Sequence, residues 1–314
     1  MTQYEQLYSS NFWGSVTTQQ TNIAESTERL DWSWQGHKIA YTVTGSGTPL
    51  LLVHGFGASI GHWRKNIPIL AAGGYRVFAI DLLGFGNSDK PAIDYSLELW
   101  QTLLKDFWAE HIQQPTVFIG NSIGALLCLM LVADYPEITL GGVLLNSAGG
   151  LSHRPDELNP LLRFVMATFT KLISSEVTGK FLFDRIRQKR RIRSTLYQVY
   201  RDRASVTNEL VDLLYEPACH PNAQKVFASV VTAPAGPKPE DLLPKVERPL
   251  LVIWGEADPW TPIGGAAIYK QYSSTKNIKF HAIPNTGHCP HDERPEIVNA
   301  QILAWLDEIG KRSY

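Results

Sequence analysis

One stretch of the chain, residues 116–134, joins two apolar runs through the turn Gly120-x-Ser122-x-Gly124. The first run is rich in β-branched residues and has the length of one buried strand, whereas the second carries small and apolar residues at helical spacing. A serine in such a turn has a tight, strained backbone, and the two glycines relieve the crowding. Its hydroxyl then projects at the carboxyl end of the strand, above the amino end of the helix. The segment therefore predicts an α/β protein with Ser122 as a nucleophile.

Apolar strands that alternate with helices predict a mostly parallel, twisted sheet of eight strands flanked by helices. Its first two strands alternate polar and apolar residues around Gly36, which predicts a hairpin at one edge. The predicted strands cover residues 30–34, 37–43, 49–53, 76–80, 116–119, 140–146, 249–255 and 278–283. Besides the helix after Ser122, helices are predicted at residues 63–72, 97–111, 266–272 and 297–309. Active sites in such sheets lie at the carboxyl ends of the strands.

The alternation of strands and helices stops between residues 151 and 239, where helical patterns occur without a convincing strand. We therefore predict an N-terminal arm at residues 1–27, an α/β core at residues 28–150 and 240–314, and an inserted helical cap at residues 151–239. In the cap, residues 158–173 are apolar on mostly one face and residues 185–203 are dense in Arg and Lys. Two interpretations stay open: peripheral contact with a membrane through the cap, or a solvated helix face above the interior of a lid.

The composition excludes several classes of protein. A formal charge of −1 over 314 residues gives no net attraction to nucleic acid or to an anionic membrane. Three scattered cysteines form neither a disulfide framework nor a metal-ligand pattern, so a reducing compartment and no metal are expected. No signal peptide is recognisable at the start of the sequence, and no apolar run reaches the ~18 residues of a membrane span. These features predict a cytoplasmic protein.

A serine hydroxyl needs a general base, and the base needs an orienting carboxylate. In sheets of this kind the order along the chain is serine, acid, histidine. Asp258 follows strand 249–255 and His288 follows strand 278–283, so both are expected at the same sheet edge as Ser122. Asp258 should bind one imidazole nitrogen of His288 and leave the other facing the serine.

Each predicted partner has a competitor. Asp258 could instead begin a turn before Pro259, and Glu256 is a second nearby carboxylate. His291, which lies among charged residues, is the rival base, and we expect it to cap a helix or face water. The position of His288 directly after the last strand favours it as the base.

Ester chemistry also requires donors for the developing oxyanion. The N–H of Ile123 directly follows the nucleophile, and the N–H of Phe56 lies in the glycine-rich loop after strand 49–53. That loop could also be a simple glycine-rich turn. We assign His54 a structural role in which it holds this loop in place. Such a mechanism needs no metal or organic cofactor. The predicted substrate contacts flank these groups in the sequence: Gly57, Asn121 and Trp260.

Taken together, the motifs around Phe56, Ser122, Asp258 and His288, with residues 81–88, resemble the α/β-hydrolase superfamily from about Trp32 to the end of the chain. The resemblance implies the α/β-hydrolase fold with a helical cap. The cap is similar to that of epoxide hydrolases and haloalkane dehalogenases. Those enzymes use aspartate as the nucleophile, so a serine at this position excludes both activities.

Five segments are similar to the chlorophyll dephytylase and pheophytinase group of cyanobacteria and plastids: residues 54–59, 62–64, 81–86, 120–124 and 144–149. Ile123 and Ala125 depart from the more usual Leu and Gly. This resemblance implies a serine esterase that cleaves the phytyl ester of chlorophyll or a derivative such as pheophytin. It also implies an apolar small-molecule ester as partner and a place in the cytoplasm or at the periphery of the thylakoid membrane.

Two other functions stay open. A carbon–carbon bond hydrolase of the meta-cleavage type uses the same three side chains, and Arg64 would be its candidate for binding an anionic substrate. A non-catalytic pigment-binding or assembly factor would keep the fold without the chemistry.

Overall fold

The computed structural model describes residues 28–151 and 160–312. Eight strands form one sheet in the order β1-β2-β4-β3-β5-β6-β7-β8. The first two pairings, β1 with β2 and β2 with β4, are antiparallel, and the remaining pairings are parallel. The predicted mostly parallel sheet is therefore confirmed. The strands are β1 Arg29–Trp34, β2 His37–Thr44, β3 Thr48–Val53, β4 Tyr75–Ile80, β5 Thr116–Asn121, β6 Thr139–Leu145, β7 Leu250–Gly255 and β8 Ile278–Ile283.

The apolar strands of the sheet interior are buried on both faces. In β3, Leu51 and Val53 belong to one hydrophobic core, whereas Leu50 and Leu52 belong to a second core on the opposite face. This alternation follows from the two-residue period of a strand, and burial on both sides explains why these strands show no polar alternation in the sequence.

The helices of the described chain cover both faces of the sheet and the region between β6 and β7. They are α1 Ile67–Ala72, α2 Leu97–Phe107, α3 Ile123–Asp134, α4 Pro160–Ser174, α5 Glu176–Ile186, α6 Lys189–Val199, α7 Asn208–Ala218, α8 Ala223–Thr232, α9 Pro239–Leu242, α10 Ala267–Tyr272, α11 Pro290–Glu293 and α12 Pro295–Arg312. Helix α3 is apolar on all sides and buried from Ile123 to Ala133, as expected of a central helix.

Helices α4 to α8 lie between β6 and β7 and form the described part of the predicted cap. Residues 152–159, including the first two residues of the predicted apolar helix at 158–173, lie outside the described residues, as does the predicted N-terminal arm. The two ends of the insertion meet, because Leu151 N–H donates to the carbonyl of Ala235 over 2.8 Å. The cap also contacts the core through Phe227 of α8, whose ring centre lies 5.7 Å from that of Phe56.

Two predicted helices differ in detail. The segment predicted as one helix at 63–72 is a 3₁₀ turn at Ile60–Trp63 followed by α1, in which Pro68 occupies the first turn where its missing N–H costs nothing. The segment predicted at 97–111 leaves the α-helical path after Phe107 and forms a π-helical turn at Trp108–Ile112. That turn ends at Gln113, whose backbone is left-handed with φ 56°.

Candidate active site

Three loops of the candidate site leave the same edge of the sheet. Strands β5, β7 and β8 are parallel members of one sheet, and their last residues are Asn121, Gly255 and Ile283. Gly255 is paired directly with Ile283, and Asn121 is paired with Leu145 of the intervening strand β6. The residues that follow these strands therefore emerge side by side, as the sequence predicted.

Ser122 occupies the sharp turn between β5 and α3. Its backbone angles are φ 57° and ψ −120°, a strained conformation for a residue with a side chain. A Cβ atom on Gly120 would lie 2.2 Å from the carbonyl oxygen of Gly124, and one on Gly124 would lie 2.3 Å from that of Val53. The turn can therefore close only where both flanking residues are glycine.

Asp258 and His288 are in direct contact. The Nδ1 atom of His288 lies 2.6 Å from Oδ2 of Asp258, and both side chains are almost fully buried. The contact requires a protonated Nδ1, so Nε2 of the neutral imidazole carries the lone pair that a general base uses. The structure thus brings together the predicted acid and base, which are 30 residues apart in the chain.

The carboxylate of Asp258 accepts further hydrogen bonds. Its Oδ1 accepts from the N–H of Trp260 at 2.7 Å and from the N–H of Thr261 at 3.1 Å. Its Oδ2 accepts from Nδ2 of Asn146 at 2.7 Å and also from the hydroxyl of Thr261. Burial raises the pKa of Asp258, but the hydrogen bonds from His288 and Thr261 outweigh it and hold this pKa below its ordinary value. The acid is therefore kept ionised beside the imidazole.

Asn146 is a site residue that the sequence did not identify. It follows β6 with a left-handed backbone (φ 42°), and its Oδ1 accepts from the N–H of Gly255 at 2.9 Å. Its amide group thus ties the ends of β6 and β7 together while it donates to Asp258. The only signal in the sequence is its position, since it directly follows an apolar strand on the active edge.

The loop that carries His288 is held at several backbone atoms. The N–H of His288 donates to the carbonyl of Val199 in the cap at 2.8 Å, and its own carbonyl accepts from Nδ2 of Asn121 at 3.0 Å. The same Nδ2 donates to the carbonyl of Leu145 at 3.2 Å. Asn121 is buried and uses both amide hydrogens within the protein, which favours a positioning role over the predicted contact with substrate.

Ser122 and His288 belong to loops that the Asn121 side chain joins directly. In the described part of the chain, the Ser122 hydroxyl makes no hydrogen bond to the imidazole of His288. Catalytic hydrogen bonds are often long in the absence of substrate and shorten in the complex. Ser122 is half-buried, and a Cβ atom on Gly55 would lie 3.2 Å from that of Ser122, so the loop after β3, the candidate oxyanion loop, packs against Ser122.

Two N–H groups are available beside the nucleophile. Ile123 is the first residue of α3, so its N–H has no carbonyl partner within the helix. In the described chain the N–H of Phe56 has no hydrogen-bond partner either. Gly57, which follows, has φ 71°, a left-handed conformation that favours glycine. Both N–H groups are thus available as the oxyanion donors that the sequence predicts, and this role stays a prediction.

His54 has the structural role that the sequence predicted. It is buried, its Nδ1 lies 2.7 Å from the carbonyl of Gly55, and its Nε2 accepts from the N–H of Leu82 at 3.1 Å. Burial lowers the pKa of His54, which keeps the ring neutral in this arrangement. The imidazole thereby joins the oxyanion loop to the loop after β4.

Trp260 lies next to the base and partly in solvent. Its ring centre is 5.5 Å from that of His288, and about half of its side chain is exposed. In the loop after β3, the ring of Phe56 contacts Phe85 of the core and Phe227 of the cap, with 5.7 Å between ring centres in each pair. Aromatic rings of the core and of the cap thus meet at the loop that carries Phe56.

A buried polar cluster beneath the site joins the cap to the core. The Nε2 of His62 lies 2.8 Å from the hydroxyl of Tyr200, which donates to Oδ2 of Asp292 at 2.8 Å. Arg64 and Lys65 each lie 3.0 Å from Oδ1 of the same carboxylate. Burial lowers the pKa of His62 to about 4, despite the opposing charge of Asp292, so the ring is neutral near pH 7.

The expectation that His291 caps a helix or faces water is wrong. Its side chain is fully buried and stacks on the ring of Trp63, with 4.3 Å between ring centres. Burial lowers the pKa of His291 well below its ordinary value. The ring packs against His62 and Trp63, whereas the carboxylate of Asp258 contacts His288, so His288 and not His291 is paired with the candidate acid.

Comparison with known proteins agrees with this geometry. A model described as the alpha/beta hydrolase family matches residues 50–301, which include the candidate oxyanion loop, Ser122, Asp258 and His288. The chain belongs to the alpha/beta hydrolase family. It is a hydrolase with the fold that this name denotes.

Among curated proteins, this alpha/beta hydrolase is similar to a chloroplast pheophytinase of Arabidopsis thaliana. The two are 28% identical over 300 residues, which cover 83% of this chain and 61% of the relative. It is also 28% identical over 281 residues to the 2-hydroxy-6-oxo-6-(2'-aminophenyl)hexa-2,4-dienoic acid hydrolase of Metapseudomonas resinovorans, covering 86% of this chain and 88% of that enzyme. Among solved structures, a serine hydrolase involved in carbazole degradation superposes with a TM-score of 0.72 at 25% identity, covering 89% of this chain and 98% of the other.

Across residues 28–151 and 160–312 of this alpha/beta hydrolase, every helix is too short or too polar to span a bilayer.

Proposed function

We propose that the chain is a serine esterase in which Ser122, His288 and Asp258 form the catalytic triad. The observation that carries the proposal is the buried 2.6 Å contact between Asp258 and His288 at the edge where the strained Ser122 turn emerges. A carboxylate in contact with Nδ1 fixes the tautomer whose Nε2 accepts a proton. The twisted serine backbone is the accompanying sign of a nucleophile.

The reaction would proceed through an acyl-enzyme. His288 Nε2 removes the Ser122 proton as Oγ attacks the ester carbonyl, and the negative oxygen is stabilised by the N–H groups of Phe56 and Ile123. The imidazolium, stabilised by Asp258, then protonates the departing alcohol. Water, deprotonated by His288, attacks the acyl group and releases the acid and the free serine.

For the substrate we propose an ester of a long apolar alcohol, with the phytyl ester of chlorophyll or pheophytin as the preferred case. Two observations support this choice. The rings of Phe56 and Phe227 pack together at the candidate oxyanion loop and the ring of Trp260 lies beside His288, and such surfaces suit an apolar ligand. The likeness to a pheophytinase at 28% identity points the same way.

The test is incubation of the purified protein with chlorophyll a and pheophytin a, followed by chromatographic detection of phytol and the dephytylated pigment. Wild type should release both products and Ser122→Ala should release neither. Turnover of short p-nitrophenyl esters without turnover of either pigment would leave an esterase but defeat the pigment substrate. A fluorophosphonate probe adds a separate measurement: labelling of wild type but not Ser122→Ala identifies an enzyme, whereas no labelling of either favours the pigment-binding alternative.

A second candidate, hydrolysis of a carbon–carbon bond in a meta-cleavage product, is favoured by the likeness to the dienoic acid hydrolase. Its anionic substrate would need a cation in the site. Arg64, the candidate from the sequence, is already engaged by two carboxylates, with Nη1 3.0 Å from Asp292 and Nε 3.3 Å from Glu209. The same purified protein should therefore leave the visible absorbance of a 2-hydroxy-6-oxohexa-2,4-dienoate unchanged. If wild type but not Ser122→Ala removed this absorbance, carbon–carbon bond hydrolysis would become the preferred function.

A further inference from the structure

The charge of this protein is unevenly distributed along the chain. Residues 165–203 hold ten Lys or Arg and three Asp or Glu, a formal charge of +7, whereas the whole chain carries −1. The rest of the chain therefore carries −8. This segment covers most of α4 and all of α5 and α6, so the positive charge is concentrated in these three helices of the cap.

The same part of the cap exposes apolar side chains. On α5, Val177 is 80% exposed and Phe181 is 58% exposed. They are four residues apart and so lie on one face of the helix. Arg185, four residues further along, places its guanidinium over the Phe181 ring, 5.0 Å from the ring centre. Two protruding apolar side chains and a cation thus form one stripe.

The neighbouring helix α6 adds cations that are not engaged elsewhere in the described chain. Its inner face turns toward α7, where Lys189 pairs with Asp212 and Arg193 donates to Asn208. Arg190 and Arg191 of the same helix are exposed, and within the described residues they form no ion pair. We call the five exposed residues Val177, Phe181, Arg185, Arg190 and Arg191 the docking face.

We infer that the docking face binds the surface of an anionic lipid bilayer. A membrane interface has two layers that match this arrangement. Apolar side chains insert at the boundary of the acyl chains, and Arg and Lys side chains beside them bind the anionic headgroups. Each cation near such a surface contributes on the order of 1 kcal/mol. The inference does not depend on the ester chemistry proposed above, because it concerns where the protein resides and not what it cleaves.

The test is co-sedimentation with extruded vesicles of phosphatidylcholine alone and of phosphatidylcholine with a quarter phosphatidylglycerol, at 0.1 M and 0.5 M NaCl. Wild type should bind the anionic vesicles at low salt, at least tenfold more weakly at high salt, and at least tenfold more weakly to the neutral vesicles. The double variant Arg190→Gln/Arg191→Gln should lower the partition coefficient on anionic vesicles roughly tenfold to thirtyfold. The matched control Arg29→Gln/Lys311→Gln, which removes two exposed charges from the core, should change it less than twofold.

The apolar contribution is tested with Val177→Ser/Phe181→Ser, which should weaken binding at both salt concentrations by tenfold or more. Its control is Ile69→Ser, an exposed position on α1 that should have no effect. Thermal melting of every variant confirms that it is folded.

Absence of wild type from the vesicle pellet at millimolar anionic lipid would overturn the inference, and that is also the result expected if the face served an acidic protein instead. Equal binding by Arg190→Gln/Arg191→Gln and its control Arg29→Gln/Lys311→Gln would overturn the inference as well. So would wild-type binding by Val177→Ser/Phe181→Ser. A vesicle result of either kind leaves ester hydrolysis in detergent unaffected, so the two proposals fail separately.

Discussion

Glu293 provides the sharpest test of how the cap is joined to the candidate base. Its buried carboxylate accepts from the N–H of Gly287 through Oε2 and from the N–H of Asp202 through Oε1, each at 2.8 Å. The first donor directly precedes His288, and the second lies just beyond α6 in the cap. A single side chain therefore connects both backbones.

The substitution Glu293→Gln keeps the size of the side chain but replaces one acceptor oxygen with an NH₂ donor. One buried N–H then loses its partner, at a cost of about 1–3 kcal/mol, and the remaining bond loses its charge assistance, about 1 kcal/mol more. The expected loss of stability is roughly 2–4 kcal/mol. With an unfolding entropy of ~2.1 cal/mol/K per residue over 314 residues, this lowers Tm by about 3–6 °C.

The assay is thermal melting together with kcat for a soluble ester, with Glu296→Gln as the matched control on an exposed position of α12. Because the loop that carries His288 loses one of its attachments, kcat should fall by about tenfold to hundredfold, while the control retains wild-type Tm and kcat. A Tm for Glu293→Gln within 1 °C of the control would refute the reasoning, since it would mean that the two bonds contribute nothing.

Three further predictions concern the rest of the site. Replacing Asn146 by Asp puts a second carboxylate beside Asp258 in place of a hydrogen-bond donor. The acid limb of the pH–rate profile should therefore move to higher pH, and kcat should fall at least tenfold. The control Asn222→Asp, on the cap surface, should change neither the profile nor kcat. Gly124→Ala places a Cβ atom 2.3 Å from the carbonyl oxygen of Val53 and should cost more than about 3 kcal/mol by urea unfolding, while Gly264→Ala, with no atom within 4 Å, should be nearly neutral. Because the pKa of His62 is about 4 when folded and near 6.5 when unfolded, the unfolded chain binds the proton first, and stability should fall by roughly 3 kcal/mol as pH drops through that window. The variant His62→Gln should have a shallower slope of Tm against pH between 6.5 and 4, and an unchanged slope would contradict the assignment.

The sheet and the contact between Asp258 and His288 were predictable because each leaves a local signal. A buried parallel strand has an apolar run, and the residue that follows it has a known place at the sheet edge. Once the strands before Asp258 and His288 were recognised, the meeting of the two side chains followed from topology.

The residues that hold the site in place have no such signal. Asn146, Tyr200 and Glu293 are polar residues that each depend on a partner between 91 and 138 positions away in the chain, and no periodicity indicates such a pairing. His291 shows how this misleads: its charged neighbours suggested a surface position, but Asp292 and Glu293 are themselves buried because cations and N–H groups satisfy them. Sequence pattern reports burial of apolar residues well and burial of paired polar residues poorly.

The attachment of Val199 to the N–H of His288 has a consequence for how a ligand enters. The end of α6 cannot swing outward without breaking a backbone hydrogen bond to His288, the candidate base. A cap that admits a bulky molecule while the imidazole stays aligned must therefore move at a point away from this anchor. Entry of the ligand and alignment of the proton acceptor are then separate events, governed by different parts of the same insertion.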